Sequence, residues 1–355
     1  MSKKLNIGVI GCGGIATWAH MPAYANMEDV EVVALCDIKL EKAKALAKKY
    51  DIPEKMTFED YHDVIAIPEI YAIDICTPNK FHSIIAVDAL NAGKHVFSEK
   101  PDAISVEEAN KMKKVSDKNS KVLMVMRNNR HCASSKFLRR YIQEGNMGEI
   151  YSGRCGWQRT RGIPGKGGWF TTKELSGGGP LIDLGVHMID LAIWLMGNPT
   201  PVAVSGSTYT KFAQSTVVDS DNAKFGEKSD EGIFDVEDLA MGFIKFDNGA
   251  CLQIEFSWAS NVDRETRYVE LRGTKSGTKW ENEDVELYGE TSGAYCITKP
   301  VISKAKGGHE MNLRHFIDVV LYGEKPDFEP IQGVNMIKIL QAIYESAESG
   351  YEVRL

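Results

Sequence analysis

A chain of 355 residues is too long for one ordinary hydrophobic core, so its length predicts two domains. Its apolar fraction of 43% and charged fraction of 26% are those of a globular protein. The formal net charge of −7 argues against nucleic acid or an anionic membrane surface as a partner.

The chain contains no apolar run as long as a membrane span, and MSKKLNIGVIG leads directly into an apolar strand without a separate signal region. These features predict a cytoplasmic protein. The seven cysteines are odd in number, scattered and without a C-x-x-C pair. This pattern indicates reduced thiols and predicts neither a disulfide scaffold nor a zinc site.

The first third of the chain alternates apolar β-rich runs with helical patterns. Strands are predicted at 5–10, 31–36, 72–76, 95–98 and 122–126, and helices at 15–26, 40–50, 58–66, 82–92 and 106–119. Buried strands that alternate with helices predict a doubly wound parallel sheet.

The pattern changes after residue 127. Helices are predicted at 134–144, around Asp183, and at 310–322 and 333–348; strands are predicted at 150–160, 202–211, 239–246, 250–259 and 267–273. The residues Asp247-Asn248-Gly249 are a hairpin signal between two of these strands. The polar stretch 213–232 is expected to be an exposed loop. Together these elements predict a mainly antiparallel sheet with helices.

A glycine-rich turn follows the first predicted strand. The segment GVIGCGGIA places Gly11, Gly13 and Ala16 in the pattern G-x-G-x-x-A, with Gly14 and Ile15 between them. The glycines permit a tight turn and close approach of a pyrophosphate, and the helix N-terminus offers free N–H groups. Between a strand and a helix, this pattern predicts a dinucleotide site.

Asp37 stands at the end of the second strand, twenty-one residues after Ala16. A carboxylate there accepts hydrogen bonds from ribose hydroxyls and repels a 2′-phosphate, so NAD is favoured over NADP. Lys39 lies two residues further on and partly offsets that repulsion.

Two further segments follow predicted parallel strands, where ligands bind in open α/β sheets. After the predicted strand at 72–76 come Thr77, Pro78, Asn79 and His82. Thr77 and Asn79 are candidates to hydrogen-bond the cofactor, although capping of the next helix explains them equally well. His82 is open to the same two interpretations.

The segment SEKP begins at the last residue of the predicted strand at 95–98 and contains Glu99 and Lys100. A lysine that points into a cleft can polarise a carbonyl or stabilise an alkoxide. The alternative is a surface lysine, which is the common case. The position at a strand end of a parallel sheet favours the functional interpretation.

The segment GGGPLIDLGVHMIDLAIWLMG, residues 177–197, places Asp183 and His187 four residues apart in an apolar run. On a helix this spacing puts both side chains on one face. A carboxylate beside an imidazole fixes its tautomer and stabilises its protonated form, as a general acid or base requires. Asp190 extends the stripe. A metal site of Asp183, His187 and Asp190 is geometrically possible, but no other ligand-rich motif accompanies it, and we predict no metal.

Taken in order, GVIGCGGIA, Asp37, TPN-x-x-H, EKP and GGG-x-x-x-D-x-G-x-H-x-x-D resemble the Gfo/Idh/MocA family of oxidoreductases over nearly the whole chain. The resemblance implies an NAD(P)-binding Rossmann domain at 1–126. It also implies a substrate-binding and oligomerisation α+β domain at 127–355, with a large, mainly antiparallel open sheet. The final helix would pack back toward the first domain.

The resemblance also implies roles for single residues. Lys100, Asp183 and His187 match the three motif residues that surround the substrate carbinol near the nicotinamide in dehydrogenases of the family. Asn128 matches a position that contacts the nicotinamide half of the cofactor. Serine stands before EKP, where cysteine is common.

The end of the predicted strand at 150–160 and the segment after it combine rings and guanidinium groups: Trp157, Arg159, Arg161 and Trp169. Tryptophan rings stack on apolar sugar faces, and arginine hydrogen-bonds hydroxyls. The alternative is an exposed strand followed by a glycine-rich loop. The first interpretation predicts a sugar or polyol site.

These observations favour an NAD(P)-dependent oxidoreductase that transfers a hydride between the nicotinamide and a secondary alcohol or ketone of a sugar, cyclitol or related polyol. His187 would take the hydroxyl proton, Asp183 would orient it, and Lys100 would stabilise the alkoxide. The alternatives are an NAD-dependent glycosidase acting by oxidation, elimination and reduction, and a non-catalytic NAD- or sugar-sensing regulator. The expected assembly is a homodimer or homotetramer formed through the C-terminal sheet.

Overall fold

The computed structural model describes residues 4–215, 225–303 and 306–355, which form two compact units. The first unit combines Met1–Met126 with Gly307–Ile337, and the second combines Arg127–Lys306 with Lys338–Leu355. Residues 216–224 of the predicted loop at 213–232 lie outside the described part.

The first unit contains a six-stranded parallel sheet in the order β3-β2-β1-β4-β5-β6. The strands are β1 Leu5–Ile10, β2 Val30–Cys36, β3 Thr57–Phe58, β4 Ala72–Ile75, β5 His95–Ser98 and β6 Leu123–Val125. This order is that of the doubly wound dinucleotide-binding sheet, and it confirms the predicted fold class. Ligands bind such sheets outside the carboxyl ends of the strands.

The helices in chain order are α1 Met21–Ala25, α2 Leu40–Lys49, α3 Tyr61–Ile65, α4 Lys80–Asn91, α5 Val106–Asn119, α6 Ala133–Gln143, α7 Lys173–Ser176, α8 Val186–Leu195, α9 Gly308–Tyr322 and α10 Pro330–Ser349. Buried side chains of α9, among them Leu313 and Phe316, join the core of the first unit with Ile7 and Val9 of β1. The apolar side chains of α9 therefore pack into the core that also contains the parallel sheet.

Two predicted helices of the first unit differ from the structure. The predicted helix at 58–66 is wrong at its start, because Phe58 closes β3 and Asp60 caps α3 by accepting the His62 N–H. The predicted helix at 15–26 is divided into a π-helical turn, Ala16–His20, and α1. His20, the last residue of the π-helical turn, lies in the buried interior of the unit.

The second unit contains a nine-stranded sheet in the order β14-β13-β12-β11-β7-β10-β9-β8-β15. Its strands are β7 Ile150–Gln158, β8 Pro201–Tyr209, β9 Leu239–Phe246, β10 Cys251–Ser257, β11 Thr266–Gly273, β12 Gly277–Glu281, β13 Asp284–Thr291, β14 Ala294–Thr298 and β15 Val353–Arg354. All neighbouring pairs are antiparallel except β7 and β10. The mainly antiparallel sheet is therefore confirmed.

The helical stretch Lys173–Leu195 is the one segment of the described residues that is long and apolar enough to cross a membrane. However, 83% of its most apolar window is buried inside the fold. Its apolar character is therefore that of a core helix, whose burial fixes the backbone from which Asp183 and His187 project.

Candidate active site

The glycine turn after β1 combines one strained position with an open surface. Gly11 has a φ of +96°, and a Cβ on it would lie 2.5 Å from the carbonyl oxygen of Cys76, so only glycine fits. A Cβ on Gly13 or Gly14 would meet nothing within 4 Å. The backbone of the turn, with Ile15 at its end, is therefore accessible to a ligand.

Asp37 lies against this turn. Its Oδ2 accepts the Cys12 N–H at 2.9 Å, and its Oδ1 accepts the Lys39 N–H at 2.8 Å. The two backbone donors fix the carboxylate at the end of β2. Lys39 itself is exposed beside it. The predicted neighbours of the dinucleotide pattern are thus brought together in the first unit.

The segment after β4 offers an unpaired hydroxyl. Thr77 Oγ1 is buried and has no hydrogen-bond partner among the described residues. Pro78 is half-buried, and Asn79 is buried at the start of α4 without capping it. A buried hydroxyl without a partner is costly, and a bound ligand would supply the missing partner.

His82 connects two of the predicted segments. Its Nδ1 lies 2.8 Å from the Pro101 carbonyl oxygen, and its Nε2 lies 2.9 Å from the Thr77 carbonyl oxygen. Burial lowers the pKa of His82, although the two carbonyls oppose this shift. Both ring nitrogens are thus used inside the protein, which favours a structural role for His82 over direct contact with a ligand.

Glu99 and Lys100 follow β5. Glu99 is buried, and its Oε2 accepts the Lys100 N–H at 3.1 Å. Burial alone would raise the pKa of Glu99, but the hydrogen bond and charge of His20 outweigh it and lower the pKa to about 2. The Lys100 side chain is half-buried. The backbone from which it extends is held by the ionised Glu99 carboxylate.

Asp183 and His187 are the two half-buried residues in the otherwise buried run 181–190. Asp183 lies in a π-helical turn, Leu181–Gly185, and His187 in α8. Asp183 Oδ2 accepts the indole N–H of Trp258 at 2.9 Å, and the His187 ring lies 5.9 Å from the Trp157 ring. The helix therefore presents these two polar side chains away from the core, each against an aromatic residue.

Glu237 fixes the beginning of this helical stretch. Its carboxylate accepts the N–H groups of Gly179 and Leu181 at 3.0 and 3.1 Å and the Tyr344 hydroxyl at 2.9 Å. A Cβ on Gly178 or Gly179 would lie 2.0 Å from Tyr344 Oη or from the Glu237 carbonyl oxygen. Glycine is therefore required at these two positions because the backbone passes close to Tyr344 and Glu237.

Asp190 is occupied by two buried arginines. Arg127 Nε lies 2.9 Å from Asp190 Oδ1, and Arg130 binds both carboxylate oxygens at 2.6 and 2.7 Å. All three side chains are almost fully buried. This ion-pair network argues against Asp190 as a metal ligand beside Asp183 and His187, and assigns it to holding α8.

The predicted sugar-recognition residues lie in the second unit on β7 and the segment that follows it. Arg159 is buried, its guanidinium lies 5.2 Å from the Trp157 ring, and its Nε has no hydrogen-bond partner among the described residues. Arg161 donates to the carbonyls of Thr160 and Ser260 and to Asn261. The Arg159 guanidinium therefore retains a free donor, whereas Arg161 holds its own loop.

Trp169 and Asn128 complete the predicted set. The Trp169 ring stacks on Phe170 at 3.8 Å in a short 3₁₀ turn, and both rings are half-buried. Asn128 begins another 3₁₀ turn, and its Oδ1 is buried without a hydrogen-bond partner in the described ranges. Both residues retain surface for a ligand.

Several polar residues that support these segments were not predicted. Hydrogen bonds to residues far away in the sequence connect four of them to these segments: His20, Asp74, Glu237 and Trp258. The available signals were weak: a histidine and an aspartate within apolar runs, and the pair Glu237-Asp238 just before β9. Charged residues in such runs are almost always paired when buried.

The residues around the glycine turn fit a dinucleotide. The open space over Gly13 and Gly14, the oriented Asp37 carboxylate and the unpaired Thr77 hydroxyl offer a close backbone approach, a ribose acceptor and a further polar contact. The fold and this donor set together define a nucleotide-dependent α/β enzyme.

Comparison with known families gives the same class. The model described as an oxidoreductase family with an NAD-binding Rossmann fold matches residues 5–127, and its companion, the C-terminal alpha/beta domain, matches residues 139–355. The chain belongs to the Gfo/Idh/MocA family of NAD-binding oxidoreductases. It is thus a nicotinamide-dependent dehydrogenase, as the sequence motifs predicted.

Individual relatives include sugar dehydrogenases. The chain is 33% identical to D-glucoside 3-dehydrogenase of Escherichia coli K12 over 100% of its own length and 98% of the relative. It is 33% identical to levoglucosan dehydrogenase of Pseudarthrobacter phenanthrenivorans over 77% of its length and 72% of the relative. A solved structure of levoglucosan dehydrogenase with NADH has a TM-score of 0.85 at 25% identity, covering 99% of both chains.

Proposed function

We propose that the protein oxidises a secondary hydroxyl group of a glucoside or related sugar with NAD, and reduces the corresponding ketone in the reverse direction. The central observation is that Asp183 and His187 alone emerge half-buried from a buried helical run. The full-length similarity to a protein named D-glucoside 3-dehydrogenase supports a glucoside as the substrate.

The cofactor would be held by the glycine turn, Asp37 and the segments after β4 and β5. The residues we assign to it are Gly11, Gly13, Gly14, Ile15, Asp37, Lys39, Thr77, Pro78, Asn79, Glu99, Lys100 and Asn128. His82 supports this set through its contact with the Thr77 carbonyl oxygen and does not itself contact the cofactor. When bound, NAD supplies the hydride acceptor. The Asp37 carboxylate, fixed by two backbone N–H groups, favours NAD over NADP because it would repel a 2′-phosphate.

The chain's own residues manage the proton and the developing charge. An imidazole nitrogen of His187 accepts the proton of the substrate hydroxyl, and the Asp183 carboxylate stabilises the imidazolium that results. The ammonium group of Lys100 stabilises the alkoxide. The Trp258 indole keeps Asp183 in place by donating to its Oδ2.

Sugar recognition is assigned to Trp157, Arg159 and Trp169. The rings offer apolar faces to a pyranose, and the unpaired Arg159 Nε can donate to a hydroxyl. Arg161 supports the same loop through its bonds to Ser260 and Asn261.

We further propose that the open sheet of the second unit forms a homodimer or homotetramer interface. Large apolar side chains on the neighbouring strands β8 and β9 are exposed, including Val202, Met241 and Phe243. Exposed apolar patches of this kind favour association. The cytoplasm remains the predicted location, and nucleic acid and membranes are not expected as partners.

A substrate panel tests the proposal. Purified protein is incubated with NAD or NADP and a set of D-glucosides, free sugars and cyclitols, and formation of the reduced cofactor is followed by absorbance. NAD reduction with a D-glucoside and little reduction of NADP is expected. Cleavage of the glycoside without net NADH formation would instead support the glycosidase alternative, and no turnover of any kind would support the regulator.

A further inference from the structure

The interior of the first unit contains a continuous line of ionisable side chains, His20, Asp74 and Glu99, that the proposed proton transfer does not use. His20 Nδ1 lies 2.7 Å from Asp74 Oδ2, and His20 Nε2 lies 2.9 Å from Glu99 Oε1. His20 and Asp74 are 0% exposed and Glu99 is 6% exposed. A buried histidine between two carboxylates is therefore completely removed from water.

The geometry fixes the charge of this histidine. Ionised carboxylates only accept hydrogen bonds, so both ring nitrogens must donate, and a ring with two N–H groups is an imidazolium. Burial lowers the pKa of His20, but Asp74 and Cys76 outweigh burial and raise it well above its usual range. A buried cation is tolerable here because it is paired on both sides.

The line continues to the candidate catalytic lysine. Glu99 uses Oε1 for His20 and Oε2 for the backbone N–H of Lys100. Each carboxylate oxygen thus has its own partner, and rotation of the carboxylate would break both bonds. The backbone from which Lys100 extends is therefore tied to His20 through one rigid group.

We propose that His20 is a positioning residue, which as an imidazolium between Asp74 and Glu99 fixes the carboxylate that holds the Lys100 backbone and so sets the place of the Lys100 ammonium group. This inference rests on the proposed role of Lys100. The lysine is reached through Glu99 and not by direct contact, so His20 acts on the reaction only through position and charge.

A metal ion is the competing explanation, since His20, Asp74 and Cys76 are grouped closely enough to hold one within the described part of the chain. However, the thiol of Cys76 has its pKa raised to about 12, chiefly by burial, and metal binding requires a thiolate. His20 Nδ1 is also already hydrogen-bonded to Asp74. The arrangement therefore fits a proton better than a metal.

The charged and titratable groups around the line are few. Asp74 and Cys76 face His20 from β4 and the residue after it, and Glu99 faces it after β5. Tyr24 of α1 interacts with Asp74 and Cys76. Lys100 and His309 add positive charge near Glu99. Of these groups, the two carboxylates determine whether His20 stays charged.

The first test measures the charge of His20 directly. The protein is labelled with ¹⁵N in its histidine rings, and each ring is titrated by NMR, with His20 assigned by His20→Asn, or by Glu99→Gln if that variant does not fold. His20 is expected to carry two N–H groups at pH 7.5, where an ordinary histidine with a pKa of about 6.5 is mostly neutral. His95, the half-buried first residue of β5, has no carboxylate partner among the described residues and is the control, since burial lowers its pKa to about 4.

A neutral His20 at pH 7.5 would overturn the proposal. A His20 ring signal that is the same in Glu99→Gln as in wild type would overturn it as well. Metal analysis of the same sample is expected to find no bound metal. Stoichiometric zinc that shifts the His20 signal would replace the proton explanation with the metal site.

The second test asks whether Lys100 responds. Lysines are reductively ¹³C-methylated, the Lys100 signal is assigned by Lys100→Arg, and its titration is compared in wild type, Glu99→Gln and His20→Asn. A shifted midpoint for Lys100, with unchanged midpoints for distant lysines, is expected. An unchanged Lys100 titration in folded variants would overturn the positioning role. Neither NMR test depends on activity, so both remain decisive if the dehydrogenase proposal fails.

Where turnover is found, the same variants are expected to lower kcat by about tenfold to a hundredfold, the size of a small misplacement of a catalytic group. In His20→Asn, whose site lies outside the residues assigned to the cofactor, the dissociation constant of NAD should change less than twofold. A fall in NAD affinity with an unchanged kcat would contradict positioning of Lys100 and indicate a role in cofactor binding.

Discussion

Each unit supports its candidate catalytic residues with a buried glutamate, but the two glutamates are stabilised differently. Glu99 in the first unit pairs with a cationic His20, and its pKa falls to about 2. Among the described residues, Glu237 in the second unit accepts hydrogen bonds only from backbone N–H groups and the Tyr344 hydroxyl, and burial raises its pKa.

The contrast shows that hydrogen bonds from neutral groups do not replace a counter-ion at full burial. Glu99 stays ionised throughout the physiological range, so the support of Lys100 is independent of pH. Glu237 instead holds the helix of Asp183 and His187 with a charge that is expensive to bury. The second unit is therefore where pH should alter the site.

The largest effect is expected from the residues that these networks support. His187→Ala should lower kcat by about 10²- to 10⁴-fold because the proton acceptor is lost, with the NAD dissociation constant unchanged. Steady-state kinetics and fluorescence titration measure the two quantities. His62→Gln, at an exposed histidine, is the control. Turnover near wild type in His187→Ala would remove the proposed proton acceptor.

Asp190 is a third buried carboxylate, and it differs from the two glutamates because it is paired with two buried arginines. Asp190→Ala leaves Arg127 and Arg130 buried without their counter-ion, and the free energy of unfolding should fall by about 3–5 kcal/mol. Urea unfolding measures it. Glu352→Ala removes the exposed pair with Lys245 and should cost less than about 1 kcal/mol. Equal losses in the two variants would contradict the account.

The helix start held by Glu237 can be disturbed without changing any charge. Gly179→Ala places a Cβ 2.0 Å from the Glu237 carbonyl oxygen, and the displaced backbone should cost about 1–3 kcal/mol of unfolding free energy. Gly307→Ala, where a Cβ meets nothing within 4 Å, is the matched control. If both alanines are tolerated equally well, the close packing at Gly179 is not as described.

The smallest expected effect is on the pH dependence of stability, which should have opposite signs for the two glutamates. The contribution of Glu99 to stability, from its lowered pKa, is complete above pH 4.5 and is lost as the pH falls toward 2. Glu237, with a raised pKa, contributes fully below pH 4.5 and loses stability as the pH rises through its folded value.

Urea unfolding of wild type, Glu99→Gln and Glu237→Gln from pH 3 to pH 8 makes the comparison. Relative to wild type, the deficit of Glu237→Gln should shrink as the pH rises above 4.5, whereas that of Glu99→Gln should stay constant there. Parallel curves would mean that the two glutamates are stabilised in the same way.

The sequence predicted the elements that carry strong local signals. The strands of the parallel sheet, the glycine turn and the helix of Asp183 and His187 are marked by buried apolar runs or by spacing. The strands β12 to β14 were missed. β12 is five residues long, β13 is half-buried at half of its positions, β14 is largely exposed, and neither β13 nor β14 alternates clearly between buried and exposed positions. Their turns use Asn282-Glu283 and Ser292-Gly293 at positive φ, which are weaker hairpin signals than Asn-Gly.

The support of the site was not predictable in the same way. His20 meets Asp74 and Glu99 across 54 and 79 residues of sequence, and Glu237 meets Gly179 across 58. No local pattern encodes such distances, which depend on the strand order and on the π-helical turn that places His20 inside. Local chemistry therefore predicted which residues are candidates, and tertiary structure showed what holds them.

The most direct test of the central claim is NADH formation from a D-glucoside by the wild-type protein beside Asp37→Ala. The account predicts that wild type reduces NAD in step with the appearance of a keto-glucoside, with NAD strongly preferred over NADP. Asp37→Ala should weaken NAD binding and reduce that preference. Equal use of NAD and NADP by wild type, or loss of glucoside without NADH, would contradict the account.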